Sequence, residues 1–291
     1  MSSVSDEIRK TFKESDDKRD AGLTTPENVV RFDDIRYSDI DECQLLDVYR
    51  PKDKEGKLPV IISVHGGGWV YGSKEVYQFY CMSLAQRGFA VVNFTYRLAP
   101  EYKFPAALED TNLVVKWVLT NAAQYQFDTK HIFMVGDSAG AHLAGLYAAI
   151  CTNEDYRKNY HFSIPEGFCP TAMALNCGIY NIVTAGHEQT MELMAALMPE
   201  QGTKEELDFI NVVKYVTKDF PPTFIMTAND DFLRAEAPRL AAKLVEELVP
   251  FTMSFYGTSD KPLWHVFHCD MRLEEAKCCN DDECDFFRRF L

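Results

Sequence analysis

The chain lacks several features that would place it quickly. None of its 291 residues form a stretch approaching the ~20 apolar residues needed to span a bilayer. Residues 1–20 are polar and charged, with no apolar h-region. No secretory signal is therefore read, and a cytoplasmic location is expected. Positive charge is scarce: 30 Lys and Arg stand against 44 Asp and Glu, for a formal net charge of −14. That field repels nucleic acid and anionic membrane surfaces, so neither is expected as a partner. Neutral or cationic small substrates suit it better, and the simplest service of the acidity is solubility. Internal repeats and low-complexity linkers are absent. So are paired C-x-x-C units. The nine cysteines, an odd number, are scattered and read as free thiols in a reducing compartment. Cys278, Cys279 and Cys284 cluster without a pattern of metal ligands, and no metal is expected there.

What is present is an alternation of short apolar runs with helical periodicity. Strands are expected over 34–38, 44–49, 58–64, 89–96, 131–135, 171–177, 223–228 and 250–256. Helices are expected over 105–122, 141–151, 234–248 and 274–291, after a polar helix within 1–26. A hydrophobic fraction of 46% is ample for a large core. This pattern predicts one α/β domain over 1–291, with a mostly parallel central sheet flanked by helices. Two segments fall outside the alternation, roughly 1–40 and 179–220. They are expected to form a helical cap over the carboxyl edge of the sheet. Met191, Met194 and Met198 in the second segment are read as packing that cap, with the lining of an acyl or alcohol pocket as the alternative.

The most informative stretch is Gly136-Asp137-Ser138-Ala139-Gly140. It sits between an apolar strand and an Ala-rich helix, so Ser138 is expected at a sharp strand-to-helix turn with its hydroxyl exposed. Upstream, His65-Gly66-Gly67-Gly68-Trp69 also follows an apolar strand. Consecutive glycines leave backbone N–H groups free to hold a negative oxygen. His65 is read as shaping this loop, and Asp137 as an exposed or hydrogen-bonded spacer. Trp69 and Trp264 either narrow the site or fill core.

A serine hydroxyl needs a base, and the base needs an orienting carboxylate. His265 follows the last strand by a loop, where the base should sit, and is preferred to His268. His142 is expected to pack, while His161 and His187 are read as surface or structural. The strand 223–228 ends at Asn229-Asp230-Asp231, and periodicity does not choose between the two aspartates.

In these motifs the chain resembles the hormone-sensitive-lipase-like family of α/β-hydrolase esterases, in its bacterial branch. The likeness runs from about residue 46 to the end. It includes Tyr96-Arg97-Leu98-Ala99-Pro100-Glu101, Phe104-Pro105-Ala106-Ala107 with Asp110, Asp231-Phe232-Leu233-Arg234 and His265-Val266-Phe267. The resemblance implies an α/β-hydrolase fold and a catalytic set of Ser138, Asp231 and His265. It implies an oxyanion hole of Gly67, Gly68 and Ala139, and no metal or organic cofactor. Phe232 departs from the family's usual proline, and Asn229 stands where glycine is common. The expected activity is a serine carboxylesterase acting on short-chain acyl esters through an acyl-enzyme. Acetyl esters are the best single expectation, with an acetylated sugar one form of the substrate. An amidase or formamidase with the same triad remains an alternative, as does a non-enzymatic small-molecule receptor. Receptors on this fold lack the catalytic histidine, and His265 speaks against that reading. The oligomeric state stays open, a homodimer included.

Overall fold

The computed structural model describes residues 3–185 and 188–291; His187 lies outside them. In chain order the elements are α1 (Val4–Asp20), β1 (Val29–Arg36), β2 (Leu45–Pro51), β3 (Leu58–Val64), α2 (Lys74–Gln86), β4 (Ala90–Phe94), α3 (Ala106–Thr120) and β5 (Phe127–Asp137). Then come α4 (Ala139–Thr152), α5 (Glu154–Arg157), β6 (Met173–Asn176), α6 (Ile182–Ala185), α7 (Glu188–Leu197), α8 (Lys204–Phe209) and α9 (Val212–Tyr215). The chain closes with β7 (Thr223–Ala228), α10 (Glu236–Glu246), β8 (Phe251–Tyr256) and α11 (Glu274–Arg288).

The eight strands form one sheet in the order β1-β2-β4-β3-β5-β6-β7-β8. Strand β2 runs antiparallel to both of its neighbours, and the pairs from β4 to β8 are parallel. The fold is the α/β-hydrolase fold that the sequence predicts. The central strands are buried on both faces, which explains their unbroken β-branched runs. Alternation sorts their side chains. Val60 and Ile62 join the core beneath α3, α4 and α10, while Ile61, Phe133 and Val135 join the one beneath α2 and α11. No helix among the described residues is long and apolar enough to cross a membrane.

Three differences from the sequence reading bear on the site. Strand β5 begins at Phe127, because Phe127 and Asp128 pair with Leu58 and Pro59 before the register shifts. Residues 29–36 belong to the sheet edge, so within 1–40 it is α1 that reaches the site. Helix α2 was not foreseen, although Tyr77, Tyr80, Cys81 and Leu84 follow helical spacing and are all buried.

Helix α1 starts in a reciprocal capping box: Asp6 N–H donates to Ser3 Oγ and Ser3 N–H to the Asp6 carboxylate. Arg9 holds it down by donating to the carbonyls of Val70 and Ala99 and to Glu101. Its other end is tied by Arg19 to the carbonyl of Val76. The mid-chain insertion docks through α9 onto α4, where Gly145 faces Val212. A Cβ at Gly145 would lie 2.9 Å from Val212 Cγ1, a buried branched side chain with no room to retreat. Gly145→Leu should therefore destabilise the protein by about 1–2 kcal/mol net, overpacking outweighing the gain in helix propensity. Denaturant unfolding reads this, and an unchanged midpoint would contradict the packing argument.

Candidate active site

Ser138 lies between the end of β5 and the start of α4. Its backbone has φ 51° and ψ −119°, a region side-chain-bearing residues seldom adopt. The surroundings hold it there. Ser138 N–H donates to the carbonyl of Asn176 at 2.9 Å, and its own carbonyl accepts from His142 N–H at 3.2 Å to begin the helix. The two motif glycines are required by close approach. A Cβ at Gly136 would lie 2.5 Å from the carbonyl oxygen of Gly140, and one at Gly140 would run into the carbonyls of Val64 and His65. The elbow thus presses directly on the loop that follows β3.

That loop, 65–69, is shaped from beneath. His65 is fully buried, stacked on Tyr96 with ring centroids 3.9 Å apart, and its Nδ1 contacts the carbonyl of Gly66 at 2.8 Å. Burial lowers it to about 4, so the ring is neutral at physiological pH. Gly67 and Gly68 have φ 111° and 61°. Among the described residues, no hydrogen bond uses the N–H of either. Ala139 opens α4, whose first-turn N–H groups have no partner within the helix. Gly67, Gly68 and Ala139 all line the space beside Ser138.

His265 reaches the same point from the loop after β8. Its Nε2 lies 2.9 Å from Ser138 Oγ, and its Nδ1 lies 2.7 Å from Asp231 Oδ1. An ionised carboxylate only accepts, so the Nδ1 proton belongs to that bond and Nε2 is left to accept from the serine hydroxyl. Asp231 is fully buried just past β7. Its Oδ1 also accepts from Leu233 N–H at 2.9 Å, and its Oδ2 from the Thr227 hydroxyl at 2.8 Å. Burial alone would raise this carboxyl. The hydrogen bond and charge of His265, with the Leu233 and Thr227 bonds, more than offset that and hold it below its ordinary value.

The neighbouring candidates lie elsewhere. Asp230 is exposed and its backbone bridges to Trp264. His268 is buried in a 3-10 turn, edge-on to Tyr80 at 5.0 Å. His142 packs against Trp69, with Nε2 at 2.8 Å from the carbonyl of Ile210. His161 is exposed. Asp137 is the buried form of the two readings: its carboxylate accepts from the Tyr77 hydroxyl at 2.8 Å and from Gly66 N–H at 3.2 Å. Trp69 is buried against the site, whereas Trp264 is 48% exposed. Met194 and Met198 are buried in the packing of the insertion. Tyr77, Thr227 and Asn176 were not foreseen as supports. Tyr77 had a signal in the spacing of α2; the other two depend on contacts that no local pattern encodes.

Two cavities meet at Ser138. One, about 280 Å³, is bordered by Phe12, Asp16, Arg19 and Tyr71, and the other, about 80 Å³, by Ile8, Trp69, Ile179, Leu193 and Leu233. Helix α1 contributes to both, and α7 supplies Thr190 and Leu193 to the smaller. Among the described residues one trio, Cys177, Asp231 and His265, brings potential metal-ligand atoms within 4.8 Å of one another. Burial pushes the Cys177 thiol well above its ordinary value, into the protonated form that binds metals poorly, and the other two already bond each other.

The BD-FAE family model matches residues 46–243. The chain belongs to the BD-FAE family. This BD-FAE chain is 36% identical to esterase LipC of Mycobacterium tuberculosis over 148 residues, which are 50% of the chain and 35% of LipC. It is 26% identical to the versiconal hemiacetal acetate esterase of Dothistroma septosporum over 247 residues, 80% of this chain and 74% of that one. Among solved structures it superposes on esterase B of Lactobacillus rhamnosis, inhibited by a tributyrin phosphonate, with a TM-score of 0.89 and 26% identity. The superposition covers 99% of this chain and 95% of that one. The kinship is with esterases, as the motifs imply.

The carboxyl of Asp137 gives a pH test. Burial, against the pull of the Tyr77 bond, raises it to about 6. A carboxyl raised on folding contributes stability fully present below its unfolded value near ~4, and lost as pH rises through about 6. The stability of the protein relative to Asp137→Asn should therefore fall between pH 4 and pH 7, by on the order of 3 kcal/mol. Urea unfolding of both at four pH values reads the difference; a flat difference would refute the assignment.

Proposed function

We propose that the protein is a serine carboxylesterase for short-chain acyl esters. Ser138 is the nucleophile, His265 its base and Asp231 the carboxylate that orients the base. One observation carries this reading: the unbroken relay from a buried carboxylate through an imidazole to a hydroxyl, with bonds of 2.7 and 2.9 Å. Ser138 Oγ attacks the ester carbonyl carbon, and its proton passes to His265 Nε2. The oxyanion is received by the N–H groups of Gly67, Gly68 and Ala139, where fixed donors are worth far more than water. Collapse breaks the bond to the alcohol, which leaves with the proton from Nε2. Water then attacks the acyl-serine by the same route and releases the acid. Asp231 stays ionised throughout and stabilises the imidazolium.

The short-acyl preference is supported by the smaller cavity. Its 80 Å³ is well below the ~300–1,000 Å³ of sites for drug-sized ligands. The larger cavity, which charged side chains border, suits the alcohol, and a hydroxylated alcohol such as a sugar fits its Asp16, Arg19 and Tyr71 border. The relative inhibited by a tributyrin phosphonate agrees with a short acyl group. An acetyl group is the first choice because it fills the smaller cavity at least cost. The protein acts as one domain, capped by α1 and the helices of 179–220. Its nine unpaired cysteines suit a reducing, cytoplasmic setting.

A serine-directed organophosphate should label Ser138 in the folded protein, as read by peptide mass mapping. Ser138→Ala should lower ester turnover roughly 10⁴–10⁶-fold with an unchanged circular-dichroism spectrum. Nitrophenyl acetate and butyrate should be cleaved with higher kcat/KM than the decanoate. No label and no turnover would end the esterase reading, and activity rising steadily past eight carbons would end the short-acyl one.

A further inference from the structure

The last residue of β6, Asn176, and the one after it, Cys177, touch the whole relay, and they are held from below by the closing helix. Asn176 is fully buried and ends the strand. Its carbonyl is the acceptor for Ser138 N–H at 2.9 Å, the bond that helps keep the serine at its unusual φ. Its neighbour Cys177 receives the N–H of Val266, the residue after His265, on its sulfur at 3.4 Å. The same sulfur lies within 4.8 Å of the ligand atoms of Asp231 and His265. Serine, histidine and aspartate are thus all referenced to one dipeptide.

That dipeptide is anchored by an acidic side chain of the closing helix. Glu283 of α11 is fully buried. One carboxylate oxygen accepts from Asn176 Nδ2 at 2.6 Å and the other from the Tyr80 hydroxyl at 2.9 Å. A buried carboxylate is costly and survives where hydrogen bonds hold it, so its presence here calls for a use. The Asn176 bond is the shorter of the two and leads straight to the elbow.

We infer that Glu283 is a positioning residue for the nucleophile, acting through Asn176 to fix the peptide that holds Ser138 N–H. This rests on the esterase reading of Ser138. Glu283 touches no reacting atom. It sets the orientation of the Asn176 peptide, and with it the direction of Oγ and of the adjoining Ala139 N–H. Without it, Asn176 Nδ2 retains only the Tyr80 oxygen at 3.5 Å. The end of β6 is then free to turn. Misplacement of the nucleophile slows attack and leaves substrate binding in the two cavities intact.

The test compares Glu283→Ala, Glu283→Gln and Tyr80→Phe by steady-state hydrolysis of nitrophenyl acetate and by the rate of phosphonylation with a small organophosphate. Glu283→Ala should lower kcat and the phosphonylation rate by about 10²-fold, the loss typical of small misplacements, with KM within two-fold. Glu283→Gln should recover activity to within about three-fold of the natural protein. Its carbonyl accepts from Tyr80, and its amide donates to Asn176 Oδ1, which has no partner now, once the Asn176 amide turns over. Tyr80→Phe removes the other bond to the same carboxylate and should leave kcat within two-fold. A merely structural role would lower the melting temperature of all three and spare the kcat-to-KM split. If Glu283→Ala does not fold, Asn176→Ala carries the same expectation. The inference is overturned if a folded Glu283→Ala or Asn176→Ala keeps the natural kcat and phosphonylation rate, or if Glu283→Gln is as slow as Glu283→Ala. A natural protein that is not phosphonylated at all defeats instead the esterase reading beneath it.

Discussion

The contact on which this structure depends is between two stretches of backbone. Gly140, the second residue of α4, lies against the carbonyls of Val64 and His65 so closely that no Cβ fits between them. Two loops that leave neighbouring parallel strands, β3 and β5, are thereby locked together. One carries the hydroxyl and the other carries the glycine N–H groups. Their separation is set by van der Waals contact between main chains, which is far stiffer than contact between side chains. The bond from Gly66 N–H to Asp137 fastens the same pair a second time, and Tyr77 braces both ends of it. The imidazole and its carboxylate arrive from the other half of the sheet and have only to meet this fixed corner.

The buried charges divide according to their partners. Asp231 and Asp137 are both close to fully buried, yet their carboxyls move in opposite directions. Each loses water. Asp231 regains three donors: the His265 imidazole, the Leu233 N–H and the Thr227 hydroxyl. Asp137 regains a hydroxyl and a backbone N–H, which are too little to offset its burial. The contrast shows that the direct bond to His265, which Asp231 has and Asp137 lacks, decides the direction. Burial also separates Asp231 from Asp230, one residue away, which is exposed.

Much of this was legible in the sequence, for reasons that also mark where legibility ends. The central strands are apolar and rich in branched residues because the sheet is covered on both faces there, and that pattern is local. The glycines around Ser138 and after His65 are required by the backbone itself, so they too can be read. Helix α2 has a weak signal because tyrosines stand at its apolar positions and polar residues such as Lys74 and Ser83 are buried in it too, which blurs the period. The choice between Asp230 and Asp231 needed the resemblance, because neighbouring side chains diverge and only the fold decides which one turns inward. Asn176 and Glu283 lie 107 positions apart, and nothing near either residue announces the other.

The cap shows the same logic at a larger scale. Helix α1 is polar and buries just two side chains, Ser5 and Ile8, so apolar burial alone would not dock it. It is held by arginines that donate to backbone carbonyls: Arg9 at Val70 and Ala99, Arg19 at Val76 in the first turn of α2, and Arg272 reaching back to the helix's own carboxyl end. Bonds of this kind fix position while burying little area, and they leave the apolar residues of α1 free to face the site. Ile8 and Phe12 can therefore line the cavities beside Ser138. Ile8 also joins the main core, while Phe12 stays exposed beside the cavities. Helix α1 thus walls the space beside Ser138, with Phe12 bordering both cavities, Asp16 and Arg19 the larger and Ile8 the smaller.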